Sequence, residues 1–190
     1  SFGTNWPALP GTSVAHSTSV GNDASSSAQI TANASGEGIK NVLAIYPNVS
    51  TLYRVTAYVA TGAAFNTSNF RIQYSYNDSA TTTCEDYAFT NDGVATSTIS
   101  TNTSQFTKVT CYINTPANAV TNPRIYFAQT DATARTWYVD TFSMTLATST
   151  TPNVQIGGGT KGVPTTLFTL YRCASAPIAG DNEDLLGSMY

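Results

Sequence analysis

The sequence predicts an all-β protein built as a two-sheet antiparallel sandwich, and three observations predict it. From Leu52 to Leu146, apolar and polar residues alternate with period two through successive segments, the mark of strands buried on one face. Only 10% of residues are charged, against about a quarter in ordinary globular chains. Thr, Ser, Asn and Ala take the place of Lys and Glu, and Thr suits a pleated surface. Helical spacing is almost absent, with the short acidic stretch 181–186 its best instance.

Each element follows from its own pattern. Residues 1–11 form an entry punctuated by Gly and Pro, carrying Phe2 and Trp6. Weak alternation places short strands over 14–20, 28–32 and 39–46, with turns at Gly21, Asn22 and Asp23 and over 35–38. The strand over 52–60 turns Tyr53, Val55, Ala57 and Val59 to one side and Arg54, Thr56 and Tyr58 to the other. Over 70–76, Phe70, Ile72, Tyr74 and Tyr76 oppose Arg71, Gln73 and Ser75. Over 107–113, Val109, Cys111 and Ile113 oppose Lys108, Thr110 and Tyr112. Over 124–128, Ile125 and Phe127 oppose Arg124, Tyr126 and Ala128. In the last strand, 136–146, Val139 has the opposite parity to Phe142, Met144 and Leu146. A single bulge near Asp140 or Thr141 reconciles them.

The sandwich is expected over 1–148. Residues 149–190 are expected to be a linker and a C-terminal strand-bearing tail, with a triple glycine at 157–159 and a strand over 165–171. The tail has too few apolar residues for a core of its own. It is expected to pack on this sandwich or on a neighbouring chain. The chain starts at Ser1 without Met, which reads as a processed or excised piece of a longer secreted protein.

Several function classes fall away. A net charge of −3 lacks the basic stripe of a nucleic-acid binder. No apolar run approaches membrane-spanning length. His16 is the one histidine and there is no C-x-x-C pair, so zinc is not expected. The acidic residues fall mostly in expected turns (Asp78, Glu85, Asp86, Asp92, Asp131, Asp181, Glu183, Asp184) rather than facing each other as glycoside hydrolysis requires. No elbow motif surrounds His16, and the triple glycine lacks the Lys-Ser/Thr of a phosphate loop. The expectation is therefore no catalysis.

Cys84 and Cys111 are expected on strands of one domain. Their pairing would close a loop of about 27 residues, contribute on the order of 3 kcal/mol, and suit an extracellular or cell-surface location. Two buried free thiols are the alternative, and Cys173 is left over. Asn33, Asn48, Asn66, Asn77 and Asn102 begin Asn-X-Ser/Thr triplets, which arise readily in so Asn-, Ser- and Thr-rich a chain.

Five pieces stand in a recognisable order: the opening Ser1-Phe2-Gly3-Thr4-Asn5-Trp6, the turn over Gly21 to Ser27, the run Leu52-Tyr53-Arg54-Val55-Thr56-Ala57-Tyr58-Val59, then Phe106-Thr107-Lys108-Val109-Thr110, then Trp137-Tyr138-Val139-Asp140. Together they resemble jelly-roll carbohydrate-binding modules of large bacterial surface proteins, from Ser1 to about Leu146. The resemblance implies a two-sheet jelly roll and a structural calcium held by the closing-strand carboxylate, here Asp140, with Asp23 as a further oxygen donor. Gly3 replaces the family's opening Glu. The tail is similar to segments of multi-domain bacterial surface proteins and of fibre-like proteins.

The outward strand positions collect Arg54, Tyr58, Arg71, Gln73, Tyr112, Arg124 and Tyr126, which are expected to bind a polysaccharide or other glycan. Aromatic rings stack on sugar C–H faces, and guanidinium groups grip carboxylates of an anionic glycan. The plain alternative is long side chains keeping an exposed sheet soluble. The competing function is a structural subunit that self-assembles into a homo-oligomer or filament through the 165–171 strand added to a neighbour's sheet edge.

Overall fold

In a computed structural model, the structure describes residues 6–23, 26–44, 46–79 and 81–147. The chain divides into two units, Ser1–Thr150 and Thr151–Tyr190. The expected strand over 165–171, Cys173 and the acidic turn all belong to the second unit, outside the described residues.

Eleven strands appear among the described residues: β1 Ser13–Ser17, β2 Ser27–Ala32, β3 Gly38–Val42, β4 Leu52–Thr61, β5 Phe70–Ser75, β6 Thr81–Thr83, β7 Glu85–Asn91, β8 Val94–Ala95, β9 Thr107–Asn114, β10 Arg124–Gln129 and β11 Arg135–Leu146. One 3-10 turn, Thr67–Asn69, precedes β5. A seven-stranded sheet runs β1-β2-β11-β4-β9-β7-β8 and a four-stranded sheet β3-β10-β5-β6. Every ladder is antiparallel, and the two sheets pack as a jelly-roll sandwich.

The alternation places the inward residues as expected, whereas Ser75, Tyr112 and Ala128, expected outward, are buried as well. Val55, Ala57, Val59, Val109, Cys111, Ile113, Trp137 and Val139 face inward from the large sheet. Ile39, Phe70, Ile72, Tyr74, Ile125 and Phe127 meet them from the small one, and all are buried. Burial of each large side chain is worth about 1.5–3 kcal/mol. Trp6 packs on Phe127 at 6.0 Å, so both tryptophans serve the core.

The bulge in the closing strand is where parity requires it. Asp140 pairs with Tyr58 and Ser143 with Thr56, so β11 spends three residues where β4 spends two. Thr141 takes the left-handed conformation, φ 46°. Phe142 and Met144 thereby turn to the core. Leu146 does not reach it and is exposed at the strand end.

Three further expectations are corrected. Glu85 and Asp86, expected in turns, lie on strand β7. A register shift between Glu85 and Ala88, with Asp86 at φ 51°, broke the alternation there. The third strand ends at Val42 and the first at Ser17. Tyr46 is exposed and donates its hydroxyl to the Thr121 carbonyl.

Cys84 and Cys111 form the expected disulfide, Cα–Cα 5.8 Å. Cys84 sits between β6 and β7, where the chain crosses from the small sheet to the large one, rather than on a strand. The bond ties that crossing to the inner face of β9. Reduction, or paired replacement by Ala, is expected to cost about 3 kcal/mol, read as a lower urea midpoint. An unchanged midpoint would show that the crossing holds itself.

Candidate functional site: the outer sheet faces

The seven expected ligand residues do not share one face. Arg54, Tyr58 and Tyr112 stand on β4 and β9 of the large sheet; Arg71, Gln73, Arg124 and Tyr126 stand on β5 and β10 of the small one. They are therefore on opposite outer surfaces of the sandwich. Period-two alternation separates inside from outside but says nothing about which sheet a strand joins.

Three of the four small-sheet residues, Gln73, Arg124 and Tyr126, have polar neighbours close by, while the buried Arg71 Nε has no hydrogen-bond partner among the described residues. Lys40 Nζ and Tyr126 Oη donate to the same Asp78 oxygen at 2.8 and 2.7 Å, and Arg124 Nε lies 3.6 Å from it. The Gln73 amide donates to Thr81 and Thr83. Burial pushes the Asp78 carboxyl up, but the hydrogen bonds from Lys40 and Tyr126 and the nearby cations outweigh it and hold it below the ordinary range. Burial, then the Asp78 hydrogen bond and charge, push the Tyr126 phenol up to about 12. This face is a zipped ion cluster. It fixes the loop carrying Asp78 over β3 and β10.

The large-sheet group is arranged differently. Cross-strand register sets out four rows on its outer surface: Gln29–Tyr138–Ala60, Asp140–Tyr58–Lys108–Thr90, Ser143–Thr56–Thr110–Ala88 and Thr145–Arg54–Tyr112–Glu85. Tyr58 and Tyr138 are half-buried on neighbouring strands, with Arg54 and Lys108 exposed beside them. Tyr112 is only 9% exposed and offers little of its ring. Tyr138 and Gln29 belong to this surface and were not among the expected residues. The parity of Tyr138 against Val139, and of Gln29 between Ala28 and Ile30, carried the signal.

Asp140 anchors the surface's edge. Its Oδ2 accepts the Asn22 backbone N–H at 2.7 Å and its Oδ1 the Thr141 N–H at 2.8 Å. One carboxylate thus closes the bulge and pins the Gly21–Asp23 turn to β11. Hydrogen bonds to a charged acceptor are worth about 1.5–3 kcal/mol. Calcium wants six to eight oxygens, whereas both Asp140 oxygens already take backbone N–H groups and Asp23 is exposed. Among the described residues, no three His, Cys, Asp or Glu side chains gather as a metal site. The calcium implied for Asp140 and Asp23 does not fit this donor set.

Three further carboxylates are engaged. Glu37 is buried and accepts the Ala34 N–H at 2.9 Å. Asp131 forms a two-pronged pair with Arg135, and Asp92 accepts from the Gln105 amide. The Arg135 guanidinium is the main cause holding Asp131 below the ordinary carboxylate range.

These shifts fix how stability depends on pH. Asp78 and Asp131 have folded values below the ordinary 3.8. Their contribution is present above that value and is lost as pH falls through the folded values. Tyr126 and Tyr87 are raised from 10.0 to about 12. Their contribution is complete below pH 10 and is lost as pH rises toward 12. The melting temperature should therefore plateau between, with Asp131→Asn flattening the acid limb. An acid limb unaltered by that change would contradict the assignment.

No protein-family model matches the chain, and no curated protein does. Solved structures match its fold. The CBM22-1 xylan-binding domain of Paenibacillus barcinonensis Xyn10C aligns at TM-score 0.56 and 15% identity, over 76% of this chain and 87% of that one. The CBM22-2 xylan-binding domain of the same protein aligns at TM-score 0.56 and 13% identity, over 75% of this chain and 92% of that one. A structure of the CBM22-1 and GH10 modules of Clostridium thermocellum endo-1,4-beta-D-xylanase 10B, complexed with xylohexaose, gives TM-score 0.56 and 15% identity, covering 75% of this chain and 26% of that one. At such identities the likeness is one of fold.

Proposed function

We propose that this chain is a non-catalytic carbohydrate-binding module of an extracellular protein, with its glycan lying across the outer face of the seven-stranded sheet. The observation that carries the reading is the registered surface of Tyr58 and Tyr138 flanked by Arg54, Lys108 and Gln29. Rings offer stacking faces to sugar C–H groups, and the cations and amide offer donors to hydroxyls and carboxylates. The sheet fixes their backbone, so the ordering cost is confined to the side chains. The fold shared with xylan-binding domains supports the reading, as does the disulfide for an oxidising compartment.

Arg54 and Lys108 favour a backbone bearing acidic groups, so glucuronoxylan is the first polysaccharide to test. Insoluble glucuronoxylan should deplete the protein from solution. Joint replacement of Tyr58 and Tyr138 by Ala should weaken retention at least about tenfold, or ~1.4 kcal/mol, with the fold intact by circular dichroism. Full retention by the double variant would remove the face from consideration. The filament reading rests on the 165–171 segment, and no feature of the sandwich favours it.

A further inference from the structure

The two sheets are unequal at one edge, and the inequality opens a cleft. Strand β6 pairs only with Gln73–Ser75 of β5. The first half of β5 is therefore paired with β10 on one side only, and its other edge lies open beside the Tyr87 and Phe89 side of β7. The resulting cleft is about 630 Å³, bounded by β7, β8 and the 3-10 turn, and lies within the ~300–1,000 Å³ range of small-ligand sites.

Its apolar wall is a set of rings. Tyr87 and Phe89 stack at 5.6 Å with 9° between planes, and Phe70 meets Phe89 edge-on at 6.3 Å. Tyr87 is locked in place: its hydroxyl accepts the Ile72 N–H at 2.7 Å and donates to the Ile72 carbonyl at 3.2 Å. Ser68 and Ser97 add hydroxyls beside the rings, and no residue lining the cleft is charged. The opposite wall is held by backbone bonds from Thr67 N–H to the Ser97 carbonyl and from Ile99 N–H to the Phe65 carbonyl, 2.9 and 2.8 Å.

We propose that this cleft is a second binding site, separate from the outer sheet face, that takes a neutral pyranose-containing saccharide. Fixed rings with hydroxyl neighbours suit the alternating apolar and hydroxyl surfaces of a sugar. Absence of charge on the lining excludes grip on a uronate. Preformed walls mean that little ordering entropy is spent on binding. The site does not depend on the sheet-face reading, because none of its lining belongs to Tyr58, Tyr138, Arg54 or Lys108.

The test is an NMR titration of the protein carrying Tyr58→Ala and Tyr138→Ala with xylohexaose, cellohexaose, mannohexaose and, separately, an oligogalacturonate. At least one neutral hexaose should shift the Phe70, Tyr87 and Phe89 ring resonances and the Ser97 amide in a saturable way, while the oligogalacturonate should not. Ser97→Trp, an exposed position whose backbone bond is kept, should abolish those shifts. Paired Ser68→Ala and Ser97→Ala should weaken them severalfold. No cleft shift with any neutral sugar, equal shifts with the oligogalacturonate, or full shifts in the Trp variant would overturn the proposal. Failure of the sheet face shows separately, as Tyr58 and Tyr138 resonances that stay still in the unsubstituted protein.

Discussion

Replacement of Trp137 by Ala should destabilise the sandwich by about 3–5 kcal/mol, the cost of a large fully buried ring and the cavity it leaves. The indole has no exposed surface. It meets Phe65 at 5.9 Å and Phe70 at 5.8 Å, both edge-to-face, an arrangement worth about 0.5–1.5 kcal/mol beyond area alone. Its Nε1 has no hydrogen-bond partner among the described residues. An unpaired buried donor costs about 1–3 kcal/mol, so Trp137→Phe loses volume but sheds that penalty. The Phe variant should therefore keep most of the stability that the Ala variant loses. Urea denaturation checks both, and equal losses for Phe and Ala would contradict the packing described here.

Arg135→Ala should cost a similar amount, about 3–5 kcal/mol, for an electrostatic reason. The Arg135 side chain is 2% exposed and grips Asp131 through NH1 and NH2 at 2.6 and 2.7 Å. It lies 4.2 Å over the Phe65 ring and donates to Gln129 at 3.3 Å. The Gln129 amide in turn donates to the Ala34, Asp131 and Thr133 carbonyls. Without the guanidinium, Asp131 keeps a charge with no counterpart, and a buried amide oxygen is orphaned. Arg135→Lys should not rescue, because an ammonium cannot make the fork and lie flat on the ring. A loss under about 1 kcal/mol in the Ala variant would mean that the pair behaves as an exposed surface bridge.

How much of this was legible in the sequence depends on how local each feature is. Alternation over Leu52–Thr61 and Thr107–Asn114 named the buried side chains because in and out are decided residue by residue. The closing-strand bulge was readable because one extra residue flips parity, and Phe142 cannot face water cheaply. Strand β7 was hidden by the same physics: its own irregularity after Glu85 broke the period, and acidic residues beside it look like turn formers. Sheet membership was not legible at all. Arg71 and Arg54 carry the same local pattern, yet β5 joins β10 while β4 lies between β11 and β9. Long-range pairing decided that, and it split the expected ligand set. Arg135 was missed because the closing strand was read from Thr136, although the parity of Arg135 with Trp137 and Val139 turns it inward.

The central claim is tested most directly by mapping backbone amide shifts of the unsubstituted protein as xylohexaose and glucuronoxylan oligosaccharides are added. The account predicts a saturable cluster on β2, β4, β9 and β11 around Gln29, Arg54, Tyr58, Lys108 and Tyr138, with the Lys40–Asp78–Tyr126 cluster unmoved. Shifts confined to β3, β5 and β10, or none on the seven-stranded face with either sugar, would contradict it.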